Sequence, residues 1–391
     1  MAAAASRGAA CGGARRATAV AVAAAAARAA VVGVAAALLA TAPAGGPATA
    51  ATRGAASSSV YWDDNGVTVV SSTVAAQVAV PGGLDLDAAY DTDVITGASV
   101  DAVTTASRAT WNEVRHAGRL GARYTPKPGL EVGAAYLPSF EPDYWSHGFS
   151  AEAHAEWLDR RLTTGLVAGL SLDRVQRIVP IRTVWARLEL GAVLDARTVA
   201  TLAYEVGRAW GRLSSPYLWV ELHLTGGVGA DLRTLRDTVP GEKLRHALVA
   251  GVRRALAPDW FARASYRFYA DDWGLRSHTG EVEVSHVVFD ERVTLGATAR
   301  AYGQTGVRFW RRRYDVVWPD LPQYFTTDKL LGPMWSVGAG LRSEVRFPWR
   351  AAGADLVFTS EVWAYAQTFP DYAPLRARHA IVGSLGIALE L

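Results

Sequence analysis

The chain has 391 residues, half of them apolar, with 37 Gly, 14 Trp and 14 Tyr and a formal charge of +3. Its one cysteine, Cys11, lies in an N-terminal segment expected to be removed, which excludes disulfides, thiolate zinc sites and cysteine nucleophiles from the mature protein. That segment also carries four arginines and no acid, so without it the charge is −1 and the basic balance implies no nucleic-acid partner.

Residues 1–44 read as a secretory signal. Arg7, Arg15 and Arg16 form a basic start, an Ala/Val run ends at Leu38 and Leu39, and Ala42-Pro43-Ala44 offers small residues for cleavage. Arg28 interrupts the apolar run, so the ~20 apolar residues of a spanning helix are not reached. The Arg15-Arg16 pair is a weak twin-arginine signal, and a barrel inserted unfolded uses the general secretion route. No lipobox surrounds the cut site. Residues 45–391 read as one domain.

Strand-like segments follow at 66–80, 83–97, 111–125, 128–138, 147–158, 162–174, 181–194, 198–211, 243–256, 259–272, 276–289, 291–306, 334–348, 352–367 and 377–391. They alternate with period two. In the thirteenth, Trp335, Val337, Ala339, Leu341, Val345 and Phe347 oppose Ser336, Gly338, Gly340, Arg342, Glu344 and Arg346. Successive side chains of a strand point to opposite faces, so one face is apolar and the other small or charged. The run exceeds the roughly 9–11 residues that a tilted transmembrane strand requires.

Short turns at 81–83, 125–129, 159–161, 195–197, 257–259 and 290–291 alternate with longer connections, the largest at 212–242 and 306–333. Outer-membrane barrels keep short turns on the periplasmic side and long loops outside. If 81–83 is periplasmic, the segment before it descends, and another must first bring the chain up. Residues 50–62, ending at Tyr61-Trp62, supply it. The expected fold is an all-β, antiparallel, up-and-down transmembrane barrel of sixteen strands, with fourteen as the alternative. Trp111, Trp145, Trp210, Trp260, Trp273, Trp335 and Trp349 fall near strand ends, where interfacial girdles form. The last strand is amphipathic, as barrel-insertion machinery requires, and ends in Leu391 where Phe is usual.

Five stretches, DVITGASVDAVTTAS (93–107), EVRHAG (113–118), EPDYWSHG (141–148), LSSPY (213–217) and YRFYADDWGLRSHT (266–279), resemble in order an uncharacterised, domain-of-unknown-function family of bacterial outer-membrane β-barrel proteins. The resemblance spans almost the whole mature chain. It implies an outer-membrane location and supplies no activity and no catalytic residue. The first strand, short and Ala/Ser-rich, departs from relatives that are more aromatic there.

Three groups of residues could carry chemistry. Asp85, Asp87, Asp91 and Asp93 share one face of the second segment of the series, and Arg115, Arg119 and Arg123 share one face of the third. An Arg facing lipid near the midplane costs about 2–4 kcal/mol, whereas opposite charges across strands stabilise by about 0.2–1 kcal/mol per pair. Both stripes therefore line the lumen, where they brace the wall or set a transverse field. Asp91 and Asp93 suit a hard cation, but no geometry is fixed and no metal site is assigned.

Asp271, Asp272, Trp273 and His278 flank an outer turn. A carboxylate pair near a histidine could activate water, and the same residues could equally close the turn, with Asp capping amides and Gly274 supplying an unusual backbone angle. His116, Asp143 and His147 form a vaguer rim group. No nucleophilic serine motif or phosphate loop is present. Arg308, Arg311, Arg312 and Arg313 lie in the loop at 306–333 with Phe309, Trp310, Trp318 and Tyr324. Guanidinium forks bind phosphate, so they reach lipopolysaccharide or pair with Asp315, Asp320 and Asp328 in a loop folded over the pore.

The expected function is a passive channel, or the membrane component of a transport or export system, in the bacterial outer membrane. A scaffold anchoring envelope partners is the alternative, and a rim hydrolase a third. Expected partners are outer-membrane lipid and lipopolysaccharide, and barrel-assembly machinery during biogenesis. No cofactor, metal or enzymatic activity is expected.

Overall fold

The computed structural model describes residues 52–97, 111–176, 179–225, 231–317, 320–349, 354–372 and 374–390. The expected signal segment and Leu391 lie outside the described residues.

The strands are β1 (Thr52–Asp63), β2 (Thr68–Val80), β3 (Leu84–Gly97), β4 (Trp111–Lys127), β5 (Leu130–Phe140), β6 (Tyr144–Trp157), β7 (Leu162–Val175), β8 (Val179–Asp195), β9 (Thr198–Gly211), β10 (Trp219–Thr225), β11 (Asp231–Arg236), β12 (Glu242–Ala257), β13 (Trp260–Asp271), β14 (Arg276–Val288), β15 (Val293–Gln304), β16 (Tyr314–Val317), β17 (Met334–Trp349), β18 (Ala354–Thr368) and β19 (Ala377–Glu390). All except β10, β11 and β16 form one closed antiparallel barrel of sixteen strands. The expected count and topology hold. The Ala/Ser-rich β1 closes the ring, pairing with β19 from Arg53↔Glu390 to Asp63↔Ala380 and with β2 on its other side. Closure leaves no edge, so the wall's backbone groups pair with one another, as a lipid environment demands.

Large apolar side chains are widely exposed: Leu86, Tyr90, Leu120, Val337, Leu341 and Leu385 all point outward. Their neighbours in sequence are small or charged and face the lumen. On β6 the outward Trp145 and Trp157 mark the two ends of the wall. Twelve residues at ~3.3 Å, tilted by ~40°, separate them by ~30 Å, close to the ~25 Å apolar band of such barrels. Trp62, Trp145 and Trp335 lie at the long-loop end, Trp157, Trp260 and Trp349 at the other. Trp273 is a correction: it is buried among loop residues and takes no part in the girdle.

Lumenal packing alternates aromatics with glycine. Gly338 and Gly340 on β17 lie opposite Tyr365 and Trp363 on β18, and those two rings stack at 5.3 Å between centroids. A Cβ on either glycine would collide with the facing ring.

The two largest loops hold structure that the alternation pattern did not assign. β10 pairs antiparallel with β11 and parallel with β16, 92 residues downstream, from Leu222↔Tyr314 to Thr225↔Val317. These strands are too short to span a membrane, so the alternation Val220, Leu222, Leu224 reads as loop when only spanning strands are counted.

Candidate functional site: the lumen and its lid

The acidic and basic stripes meet as expected. Asp93 lies opposite Arg115 and Asp85 opposite Arg123, with Asp87 and Arg119 offset by one step. Arg119 Nε donates to Asp87 Oδ2 at 2.7 Å, and Arg115 Nη1 to Asp93 Oδ2 at 3.1 Å. Thr73 Oγ1 donates to Asp91 Oδ1 at 2.5 Å. Arg123 departs from the pattern. It leans over Gly133 toward Glu131 on β5, 3.8 Å away, and leaves Asp85 unpaired among the described residues. No group of three potential metal ligands occurs among the described residues, Asp91 and Asp93 included.

Further ion pairs cross a strand. Glu205 on β9 receives Arg187 Nη1 from β8 at 2.6 Å and Arg267 Nη2 from β13 at 2.9 Å. The second bond passes over β12, where the facing residue is only Ala247. Arg346 on β17 reaches Glu390 on β19 at 3.3 Å, beyond β18. A concave wall brings second-neighbour strands together in this way, which an up-and-down reading of single strands does not reveal.

The motif at 271–278 separates. Asp271 faces the lumen, while His278 faces outward and is hydrogen-bonded through Nδ1 to the Tyr266 hydroxyl at 2.6 Å. Asp271 caps its turn: Oδ1 accepts from the Leu275 amide at 3.0 Å, and Oδ2 accepts from the Tyr269 hydroxyl and Lys243 Nζ, each at 3.0 Å. Gly274 has φ +94°. The first hairpin repeats this arrangement. Asp63 Oδ1 accepts from the Val67 amide at 2.9 Å, Oδ2 accepts from the Tyr61 hydroxyl at 2.9 Å, Arg378 stands 3.7 Å away, and Gly66 has φ +86°. The shared pattern is Tyr-x-Asp-Asp-x-Gly, read in YWDDNGV (61–67) and YADDWGL (269–275). Sequence reasoning noticed only the second copy, and comparison with the first would have marked Asp271 as a turn cap. His116 and His147 also point outward, each bonded to a tyrosine (Tyr90 and Tyr136), so the group with Asp143 does not assemble.

The long loops build a lid. Val239, Trp273, Leu275, Val307 and Trp310 form one apolar cluster, with Tyr269 packed against it from the lumen side. Val220, Leu222, Leu224, Tyr314, Val316 and Phe325 form a second. Thr238 and Phe325 exchange backbone hydrogen bonds of 3.0 and 2.8 Å, which tie the two loops together. Trp273 Nε1 donates to the Glu242 carbonyl and Trp310 Nε1 to the Asp328 carbonyl, both at 2.8 Å. Of the loop arginines, Arg308 bonds the Asp272 carbonyl, Arg311 bonds the Arg308 and Trp310 carbonyls, and Arg313 pairs with Asp315 at 2.8 Å. Arg312 is exposed. Three of the four thus serve the loop itself.

Burial pushes the Asp237 carboxyl up to about 6, assisted by Asp328 and opposed by a backbone hydrogen bond from Ser215 and by Arg212. Asp328 is also raised by burial. Lys329 is lowered to about 8 by burial and Arg378, against Asp63. The lid therefore reaches from β15 to the mouth of β1 and β19.

Residues 181–368 match the family described as "Protein of unknown function (DUF3570)". The match runs from β8 to the end of β18 and includes both lid loops and the YRFYADDWGLRSHT stretch. No curated protein sequence matches the chain. Among solved structures, a bacterial polysaccharide outer membrane secretin superposes with a TM-score of 0.50 at 10% identity, over 88% of this chain and 98% of that one. The CymD monoaromatic hydrocarbon channel gives 0.44 at 10% identity, over 87% and 88%. A loop L8 deletion mutant of OmpT, an outer membrane protein of Vibrio cholerae, gives 0.43 at 10% identity, over 87% and 99%. At such identity the likeness concerns the fold, which is that of an outer-membrane β-barrel.

Proposed function

We propose that the protein is a passive channel for small polar solutes in the bacterial outer membrane, with its outer mouth narrowed by the lid. One observation carries the reading: charged side chains of both signs recur along the inner face of the wall, from Asp93–Arg115 to Arg346–Glu390. Such groups are tolerated inside a membrane protein where they line water, and a sixteen-stranded barrel is wide enough for an aqueous path.

In this reading the lid is what restricts the path at its outer mouth. It is packed by two apolar clusters and sits over lumen-facing Tyr269. Planar-bilayer conductance tests the reading, with the refolded mature chain compared with a form lacking 306–333. Steady conductance that rises on deletion is the expected result. Silence from both forms, with folding verified by resistance to detergent, overturns it.

A further inference from the structure

One lumenal row sets a large aromatic and a guanidinium each beside a glycine. Gly169, Trp185, Gly207 and Arg245 are consecutive partners across β7, β8, β9 and β12. Large and absent side chains alternate. A Cβ on Gly169 would lie 2.7 Å from the Trp185 ring, and one on Gly207 would lie 2.8 Å from Arg245 Nε. Trp185 and Arg245 therefore each lie over the neighbouring glycine, presenting an indole face and a guanidinium along the wall rather than across the lumen.

Arg187, Glu205, Arg267 and Tyr269 complete a recess of about 410 Å³ around them. Glu205 is already shared by Arg187 and Arg267, and Arg267 lies 5.6 Å over the Tyr269 ring. Arg245 has no such partner. Its register neighbour Asp271 is held by Tyr269, Leu275 and Lys243, and Arg245 makes no ion pair or hydrogen bond among the described residues. The recess thus offers one unused fork of donors beside one aromatic platform, flanked by a carboxylate and a phenol that can meet hydroxyl groups.

We infer that this recess is a solute-binding station for an acidic sugar. The carboxylate takes the Arg245 guanidinium bidentately, the apolar face of the ring rests on Trp185, and ring hydroxyls meet Glu205 and Tyr269. The inference rests on the channel reading for its place in a solute path, but binding in the recess can be measured without conduction.

The test uses glucuronate and glucose with the refolded mature protein, read by single-channel blockade and by calorimetry in detergent. Concentration-dependent blockades by glucuronate, with glucose at least about tenfold weaker, are the expected result. Arg245→Gln and Trp185→Ala each weaken glucuronate by about tenfold or more while basal conductance persists. Equal action of the two sugars, or unchanged glucuronate binding in both variants, overturns the station and leaves the channel intact. If the protein does not conduct, calorimetric binding lost in the two variants keeps the station and sinks the channel. No heat from wild-type protein overturns the station.

Discussion

The Tyr266 hydroxyl lies 2.6 Å from His278 Nδ1 on the outward face of the barrel, and the same cross-strand pair recurs as Tyr90–His116, Tyr136–His147 and Tyr204–His246, each at 2.7 Å. In every case the tyrosine sits on an ascending strand and the histidine on the strand it pairs with next. On β6, His147 is one outward position below the girdle residue Trp145, at the depth where a polar edge still meets headgroups.

A double-mutant cycle with Tyr266→Phe and His278→Ala should give a coupling of about 0.5–1.5 kcal/mol in urea unfolding from bilayers, comparable with the ~0.6 kcal/mol average for polar pairs in membranes. Additive effects would show that the two groups do not support each other.

Asp63 and Asp271 have fully buried side chains and hold equivalent turns. Asp271→Ala leaves the Leu275 amide, the Tyr269 hydroxyl and Lys243 without their acceptor and should cost about 1–3 kcal/mol. Asp63→Ala should cost a similar amount. Melting of the folded, heat-modifiable band on cold gels reads both. A melting temperature unchanged within a degree or so would refute the capping role.

The lid should loosen as pH rises. Asp237 has its folded value raised to about 6, mainly by burial and then by Asp328. A raised carboxyl contributes fully where both states are protonated, below its ordinary value of 3.8. Its stabilising contribution falls as pH climbs and is lost above about 6. Asp328 acts in the same direction, while Lys329, lowered to about 8, stays charged throughout that window. Hydrogen exchange in 212–241 and 305–333, corrected for the intrinsic rate, should be faster at pH 7 than at pH 5. Asp237→Asn should erase most of that difference, and its persistence would place the switch elsewhere.

Arg174 on β7 and Arg182 on β8 are exposed on the outward face near the long-loop end and make no ion pair among the described residues. Near the interface such a charge costs little and gains from anionic headgroups. Vesicles containing phosphorylated glycolipid should raise the melting temperature of the wild type more than neutral vesicles do, and Arg174→Gln with Arg182→Gln should shrink that increment. Equal increments in both proteins would rule these arginines out as headgroup contacts.

Sixteen strands, their two faces and the lumenal position of Asp93 and Arg115 were legible from residues alone, because period-two alternation is local and parity forces an even count. The repeated Tyr-x-Asp-Asp-x-Gly turn was equally legible, since cap, tyrosine and glycine all lie within seven residues. Other relationships were not. Whether His278 joins Asp271 depends on which face of the wall each occupies after the turn, and register put them on opposite sides. The pairing of β10 with β16, the bond from Arg267 over β12 to Glu205, and the row that leaves Arg245 unpaired beside Trp185 join residues tens of positions apart. Sequence determined the wall, because each strand's pattern answers to its own two solvents. Tertiary structure decided the lid and the recess, because those depend on which distant side chains curvature and strand register bring within bonding distance.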